Sequence, residues 1–312
     1  MTSFVIPNKQ GYKIKCSPIY PGLTAVATNE NFGFSGSGWL HLLQISPNEL
    51  IEEKRTFFWP NALFAICWID KSNTILTGSG DGSLQIWTIN GQTGVEIVFK
   101  AHDLEVSSID CHDNSSVITS SWDSTIKLWD INRKQCIITY RRRHHNLVHE
   151  SKVLHKIIAS VSEDCTCCLW DIATAECIAS FRAHDSEVLS CDWSKFNANL
   201  VATSGSDGLI RCWDIRNFRQ PTFQIKGSSK AVKEISFSPH FPNILASGSC
   251  DFLTKIWDAR HLEPIQVFNG HSNFVYDVDW CWYDVGQLVD CSWDSSIKVY
   301  RSSVLENIKN KM

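Results

Sequence analysis

The chain has 312 residues, with 33 acidic against 29 basic side chains and a net charge of −4, so it lacks the clustered positive field that nucleic-acid binders carry. Its one basic run, Arg141-Arg142-Arg143-His144-His145, reads as a solvated loop, and no nucleic-acid partner is expected. No apolar stretch reaches the roughly 18 residues of a membrane span, and MTSFVIPNKQ has no basic head before an apolar segment, so neither direct membrane insertion nor a secretory leader is expected.

In chain order, Phe4-Val5-Ile6 is a short apolar stretch that could serve as an edge strand. Residues from about Tyr12 to Thr56 leave room for one weak unit, with SGSGWLHLLQIS (35–46) as its most regular part. From there an Asp followed six residues later by an aromatic recurs as Asp81/Trp87, Asp123/Trp129, Asp164/Trp170, Asp207/Trp213, Asp251/Trp257 and Asp294/Tyr300. Successive steps are 42, 41, 43, 44 and 43 residues, and such a period is the mark of a repeat architecture. Each unit has strand chemistry. Glu187-Val188-Leu189-Ser190-Cys191-Asp192-Trp193 alternates before the turn, Ile126 and Leu128 alternate after it, and Cys177-Ile178-Ala179-Ser180-Phe181 supplies a further run.

Four short strands per unit of about 43 residues predict an all-β, seven-bladed β-propeller of four-stranded antiparallel blades. The expected organisation is one domain over 1–312, with blades near 12–56, 57–98, 99–140, 141–181, 182–225, 226–268 and 269–301. Ring closure is expected from Phe4-Val5-Ile6 rather than from Val304–Ile308, because full closure removes exposed strand edges.

The polar residues between strands fit structural work. His102, His184 and His271 precede Asp123, Asp207 and Asp294 by 21, 23 and 23 residues, and a His–Asp bond at each blade edge would satisfy two groups otherwise buried unpaired. GSGDGS (78–83) sits in a strand-to-strand turn with no helix after it, which excludes a phosphate cradle. No nucleophile elbow is present, so neither an enzyme nor a cofactor is expected. The 13 cysteines lie mostly in apolar alternations, as Cys67, Cys191 and Cys212 do, and read as small hydrophobes kept reduced in the cytosol. Cys165, Cys167 and Cys168 lack a second pair at ligand spacing, so no metal is expected.

The pattern of His, turn Asp and closing Trp-Asp, carried by Trp129-Asp130, Trp170-Asp171, Trp213-Asp214 and Trp257-Asp258, resembles the WD-repeat propellers. Departures are Ser228 for His in the sixth unit, Thr88 for Asp in the second and Tyr300 for Trp in the seventh. The fourth unit looks shortened, with 19 residues from His145 to Asp164.

Longer stretches are similar to the receptors for type-2 peroxisomal targeting signals. They are GYKIKCSPIYPGLTAVAT (11–28), TGSGDGSLQIW (77–87), LSCDWSKFNANLVATSGSDGLIRCWDIRNFRQPTFQ (189–224) and LVDCSWDSSIKVY (288–300). That resemblance implies a cytosolic cargo receptor that shuttles to the peroxisome. Its partners would be N-terminal type-2 signals of matrix proteins, an import co-receptor (the long form of the type-1 signal receptor or a dedicated one) and the peroxisomal docking complex. It further implies acidic contacts for the signal's basic residue at Glu105 and Glu187, each three residues after a blade-edge His. Trp122 and Trp293, directly before structural Asp residues, are expected on the same face, as are Asn61, Leu63 and Phe64. The family tends to carry an acid where Asn61 stands. The competing reading is a substrate adaptor of a cullin-type ubiquitin ligase, through Trp213-Asp214-Ile215-Arg216 and Trp257-Asp258-Ala259-Arg260.

Overall fold

The structure, a computed structural model, describes residues 1–69, 73–89, 94–261 and 263–309. Seven four-stranded antiparallel sheets are arranged in a ring: each innermost strand contacts the innermost strands of both neighbours, and the seventh contacts the first. The innermost strands, from blade 1 to blade 7, are Gln10–Cys16, Leu63–Ile69, Val106–Cys111, Val148–Leu154, Val188–Trp193, Val232–Phe237 and Val275–Trp280. Thr2–Val5 pairs with Ser296–Arg301 and supplies the outer strand of blade 7, so both ends of the chain share one sheet. Val304–Ile308, the alternative closing segment, belongs instead to a helix, Ser303–Lys309, which buries Leu305 against blades 6 and 7.

The core is not central. It consists of seven apolar layers, each lying between two adjacent blades; Leu40, Ile66 and Trp87 make one, Cys191, Val201 and Trp213 another. No blade buries its own faces, which is why the repeat must be circular to be stable. Outer strands alternate between half-buried and exposed residues, as Cys177–Arg182 does, because one of their faces meets water.

Polar bonds lock neighbouring innermost strands together. Asp277, Asp110 and Asp192 accept backbone N–H groups of Ile14, Val153 and Phe237 in the next blade, each at 2.7 Å. Trp68, Trp193 and Trp280 donate their indole N–H to carbonyls of the preceding blade, at 2.8 to 3.0 Å.

At the blade edge the expected His–Asp bond is one part of a larger group. In blade 3, His102 Nδ1 donates to Asp123 at 2.9 Å, Nε2 meets Thr119 Oγ1 at 2.7 Å, and Trp129 Nε1 donates to the same hydroxyl at 3.0 Å. His184, Asp207, Thr203 and Trp213 repeat this in blade 5. The fourth unit is corrected here. Its histidine is His144, not His145: His144 is buried, bonds Asp164 at 3.0 Å and Ser160 at 2.8 Å, and so the basic run is not wholly solvated. The unit's shortening is absorbed in the first hairpin, where two residues turn the chain with His155 at φ 53°. Cys165 also falls outside its strand, in the turn before Thr166–Asp171, with φ 69°.

Blade 7 differs from the others. Asp290 stands where blades 2 to 6 carry Ser or Thr and blade 1 carries Val26, so His271 lies between Asp294 at 2.9 Å and Asp290 at 2.8 Å. A neutral imidazole has one N–H and cannot donate to both, so the ring is cationic. Despite burial, Asp290 and Asp294 push its pKa up to about 9. A folded-state value above the ordinary value of about 6.5 stabilises fully below pH 6.5 and is lost as pH rises through 9. Unfolding free energy is expected to fall by roughly 3 kcal/mol between about pH 6.5 and 9.5, and Asp290→Thr should flatten that slope. Urea titrations across this range check it; an equal slope in the variant would contradict it.

Candidate functional site

Each innermost strand begins with a β-bulge, seen as a register shift such as Gly11/Lys13, Val106/Ser108 or Val275/Asp277. The unpaired residue at each bulge turns toward the axis of the ring, as bulges re-aim side chains. Those seven residues, Tyr12, Phe64, Ser107, His149, Leu189, Lys233 and Tyr276, line the mouth of the central channel.

The mouth is shallow, about 70 Å³, because the channel is plugged just beneath it. Lys13 of blade 1 crosses the axis to Glu234 of blade 6 at 2.9 Å and Glu150 of blade 4 at 3.3 Å, and lies 3.4 Å from Asp277 of blade 7. Burial opposes its charge, but Asp277, Glu150 and Glu234 together raise its pKa. Glu150, also 3.1 Å from Lys152, is held well below the carboxylate range by the two lysines despite its burial. Burial and the neighbouring Glu150 push Glu234 up to about 8. Below the plug the channel widens to about 460 Å³ at the opposite end, walled by Trp68, Trp193 and Trp282.

Around the mouth runs a continuous arc of aromatic rings. Phe252 meets Phe274 (centroids 5.9 Å apart), Phe274 meets Trp293 (5.3 Å), and Trp293 stacks on Tyr276 (5.2 Å) and touches Tyr12 (5.7 Å). Tyr12 meets Phe64 edge-on at 5.3 Å, and Phe64 stacks on Trp122 at 6.0 Å. The arc thus covers blades 6, 7, 1, 2 and 3. Phe252 holds φ 73°, a conformation costly for a bulky side chain, at the turn position that Gly82 and Gly208 occupy in other blades. Phe32 packs on Trp293 at 5.1 Å, and Phe34 in the same loop is 85% exposed.

Two of the candidate carboxylates lie toward blades 3 to 5. Glu105 is half-buried beside Trp122, whose backbone N–H donates to the Glu105 carbonyl at 3.1 Å. Glu187 is exposed, and its Oε2 accepts the Ser206 hydroxyl at 3.2 Å. Both precede the innermost strand of their blade, so they belong to one end of the ring, two blades apart. Phe64, Trp122 and Trp293 are joined through ring contacts. Asn61 is half-buried and accepts from its neighbour's amide, Ala62 N, at 2.8 Å, while Glu187 stands apart from the aromatic group. Tyr12, Tyr276, Phe274 and Phe252 were not among the residues the sequence singled out. Among the described residues, no cluster of His, Cys, Asp or Glu could hold a metal ion.

Six segments match the family model of the WD domain, G-beta repeat: 52–88, 95–130, 143–171, 175–214, 219–258 and 262–301. Over 303 residues, 95% of each chain, the sequence is 36% identical to the peroxisomal targeting signal 2 receptor of Mus musculus. The chain belongs to the peroxisomal targeting signal 2 receptor family of WD-repeat proteins. Receptors of the same name match it from Homo sapiens, 36% identical over 86% of this chain and 85% of that one, and from Schizosaccharomyces pombe, 28% identical over 97% and 100%. This chain presents, at one end of its ring, an aromatic arc over blades 6, 7, 1, 2 and 3, with Glu105 and Glu187 on blades 3 and 5. In the motif that suggested a ligase adaptor, Arg216 and Arg260 fold back on their own Asp214 and Asp258, each at 2.6 Å.

Proposed function

We propose that this chain captures N-terminal type-2 peroxisomal targeting signals as amphipathic helices on the end of the ring described above, and carries the attached enzymes to the peroxisomal import machinery. The observation that carries the reading is the division of that face. Rings from Phe252 to Trp122 offer apolar anchors to one side of a helix, while Glu105 and Glu187 offer carboxylates to its basic residue. The names of the relatives support the same ligand. The adaptor reading has no such support.

A short helix buries little area, so the chain alone binds modestly, and a second protein that covers the helix raises the affinity. Phe32, packed on Trp293, and the exposed Phe34 in the same loop supply apolar surface for that cover. The co-receptor is the long form of the type-1 signal receptor or a dedicated partner, and the ternary complex docks at the peroxisomal membrane before the receptor returns to the cytosol.

The test is a pull-down with a type-2 signal fused to a reporter, with and without each co-receptor fragment. Weak capture alone and strong capture in the ternary mixture are expected. Absence of capture with every co-receptor supplied would overturn the proposal.

A further inference from the structure

We infer that the loop between blades 3 and 4 is a second docking surface, one that takes a carboxylate-rich segment of a partner protein through Arg141, Arg142 and Arg143. All three arginines are exposed, and none has a hydrogen bond or ion pair among the described residues. Arg219 is likewise exposed, with a hydrogen bond from its backbone N–H alone, but it stands singly, whereas these three are consecutive. Arg133, Arg182, Arg211, Arg216, Arg260 and Arg301 each hold a carboxylate of this chain.

The triplet is also fixed at both ends. Before it, Tyr140 is buried and its hydroxyl donates to the Ile172 carbonyl at 2.5 Å. After it, His144 is buried and bonded to Asp164 and Ser160. Arg142 between them holds φ 71°, so the three guanidinium groups hang on a short span that loses little freedom when a ligand arrives. Unpaired guanidinium forks match carboxylates in geometry as well as in charge.

The surroundings choose the kind of anion. Asp103, Glu105, Asp185 and Glu187 stand on the loops that enter the innermost strands of blades 3 and 5, the same class of loop that Arg141–Arg143 belongs to. A flat anionic membrane or a long polyanion would meet those carboxylates along with the arginines; a narrow acidic segment need not. The inference does not depend on the signal-binding reading.

The experiment uses the full chain and a fluorescent peptide of repeated Glu-Ser, followed by anisotropy at rising salt. Wild-type protein is expected to bind at low ionic strength and release the peptide as salt screens the contact. Arg141→Glu with Arg142→Asn and Arg143→Glu should weaken binding by at least about tenfold. Asn is chosen at 142 because it tolerates positive φ. Arg216→Glu with Arg219→Glu and Lys156→Gln changes the net charge by the same amount and should bind as wild type. Where the first variant does not fold, Arg141→Gln with Arg142→Asn and Arg143→Gln should show the same loss. The inference is overturned if the wild type ignores the peptide, if the charge-matched control loses binding equally, or if phosphatidylserine vesicles or duplex DNA bind and the peptide does not.

Discussion

Lys13→Met is expected to lower the unfolding free energy by about 3–5 kcal/mol, the usual cost of leaving buried charge without its counterion. Lys13 is 7% exposed, and its ammonium is shared by Glu150, Glu234 and Asp277, on three different blades. Methionine matches its length but returns nothing to those carboxylates. Glu150 keeps Lys152 at 3.1 Å, and Asp277 keeps Lys15 at 4.0 Å, so the loss should concentrate on the contacts made across the axis. A second substitution shows which carboxylates bear the cost. Glu234 has its pKa pushed up to about 8, so at neutral pH it is largely protonated and Glu234→Gln alone should cost less than about 1 kcal/mol. In the Lys13→Met background the same change should again cost less than about 1 kcal/mol, because without the ammonium the Glu234 carboxyl is still more fully protonated and the orphaned charge rests on Glu150 and Asp277. Urea denaturation followed by tryptophan fluorescence measures all three. A Lys13→Met protein within about 1 kcal/mol of wild type would show that the cross-channel pairs only balance their own desolvation.

The sequence revealed the blades more readily than the face they build, and the reason lies in strand parity. The Asp-to-aromatic spacing is visible because the turn after the second strand and the aromatic six residues later perform the same task in each unit. Glu105, Glu187, Trp122 and Trp293 could be named from their offsets to His and Asp. Phe64 was named as part of the loop entering its blade, but Tyr12, Leu189 and Tyr276 were not, since each sits, as Phe64 does, on a bulge, and a bulge inverts the alternation by which a strand assigns its side chains to faces. Aligning the seven units on the residue before the bulge, Gly11, Leu63, Val106, Val148, Val188, Val232 and Val275, would have lined these residues up in one column. His144 was passed over for His145 because two adjacent histidines look alike until one must reach both Asp164 and Ser160. Asp290 was legible in principle: DCSWD at 290–294 places an acid where TSSWD at 119–123 has a threonine. Only the contact with His271 shows that this exchange adds a charge.

Glu105→Lys combined with Glu187→Lys is expected to weaken signal capture by about a hundredfold or more, equivalent to roughly 2.7 kcal/mol. Each reversal replaces attraction for the signal's basic residue by repulsion, and a charge-assisted bond that is shielded contributes about 1.5–3 kcal/mol. The two sites should not contribute equally. Glu105 is half-buried, where a bound helix would exclude the remaining water, whereas Glu187 is exposed and screened by solvent. Glu105→Lys alone should therefore cause most of the loss, and Glu187→Lys alone a few-fold change that disappears at high salt. Neither substitution should unfold the ring. Both side chains lie outside the His–Asp–Ser/Thr–Trp groups, and among the described residues the one side-chain bond at risk is the 3.2 Å contact from Ser206 to Glu187. Melting temperature and signal-peptide anisotropy, measured on the same samples with the co-receptor present, distinguish lost binding from lost fold. Should the double variant capture the signal as wild type does while its melting is unchanged, the basic residue is read elsewhere. The aromatic arc would then have to bind the helix without these two carboxylates.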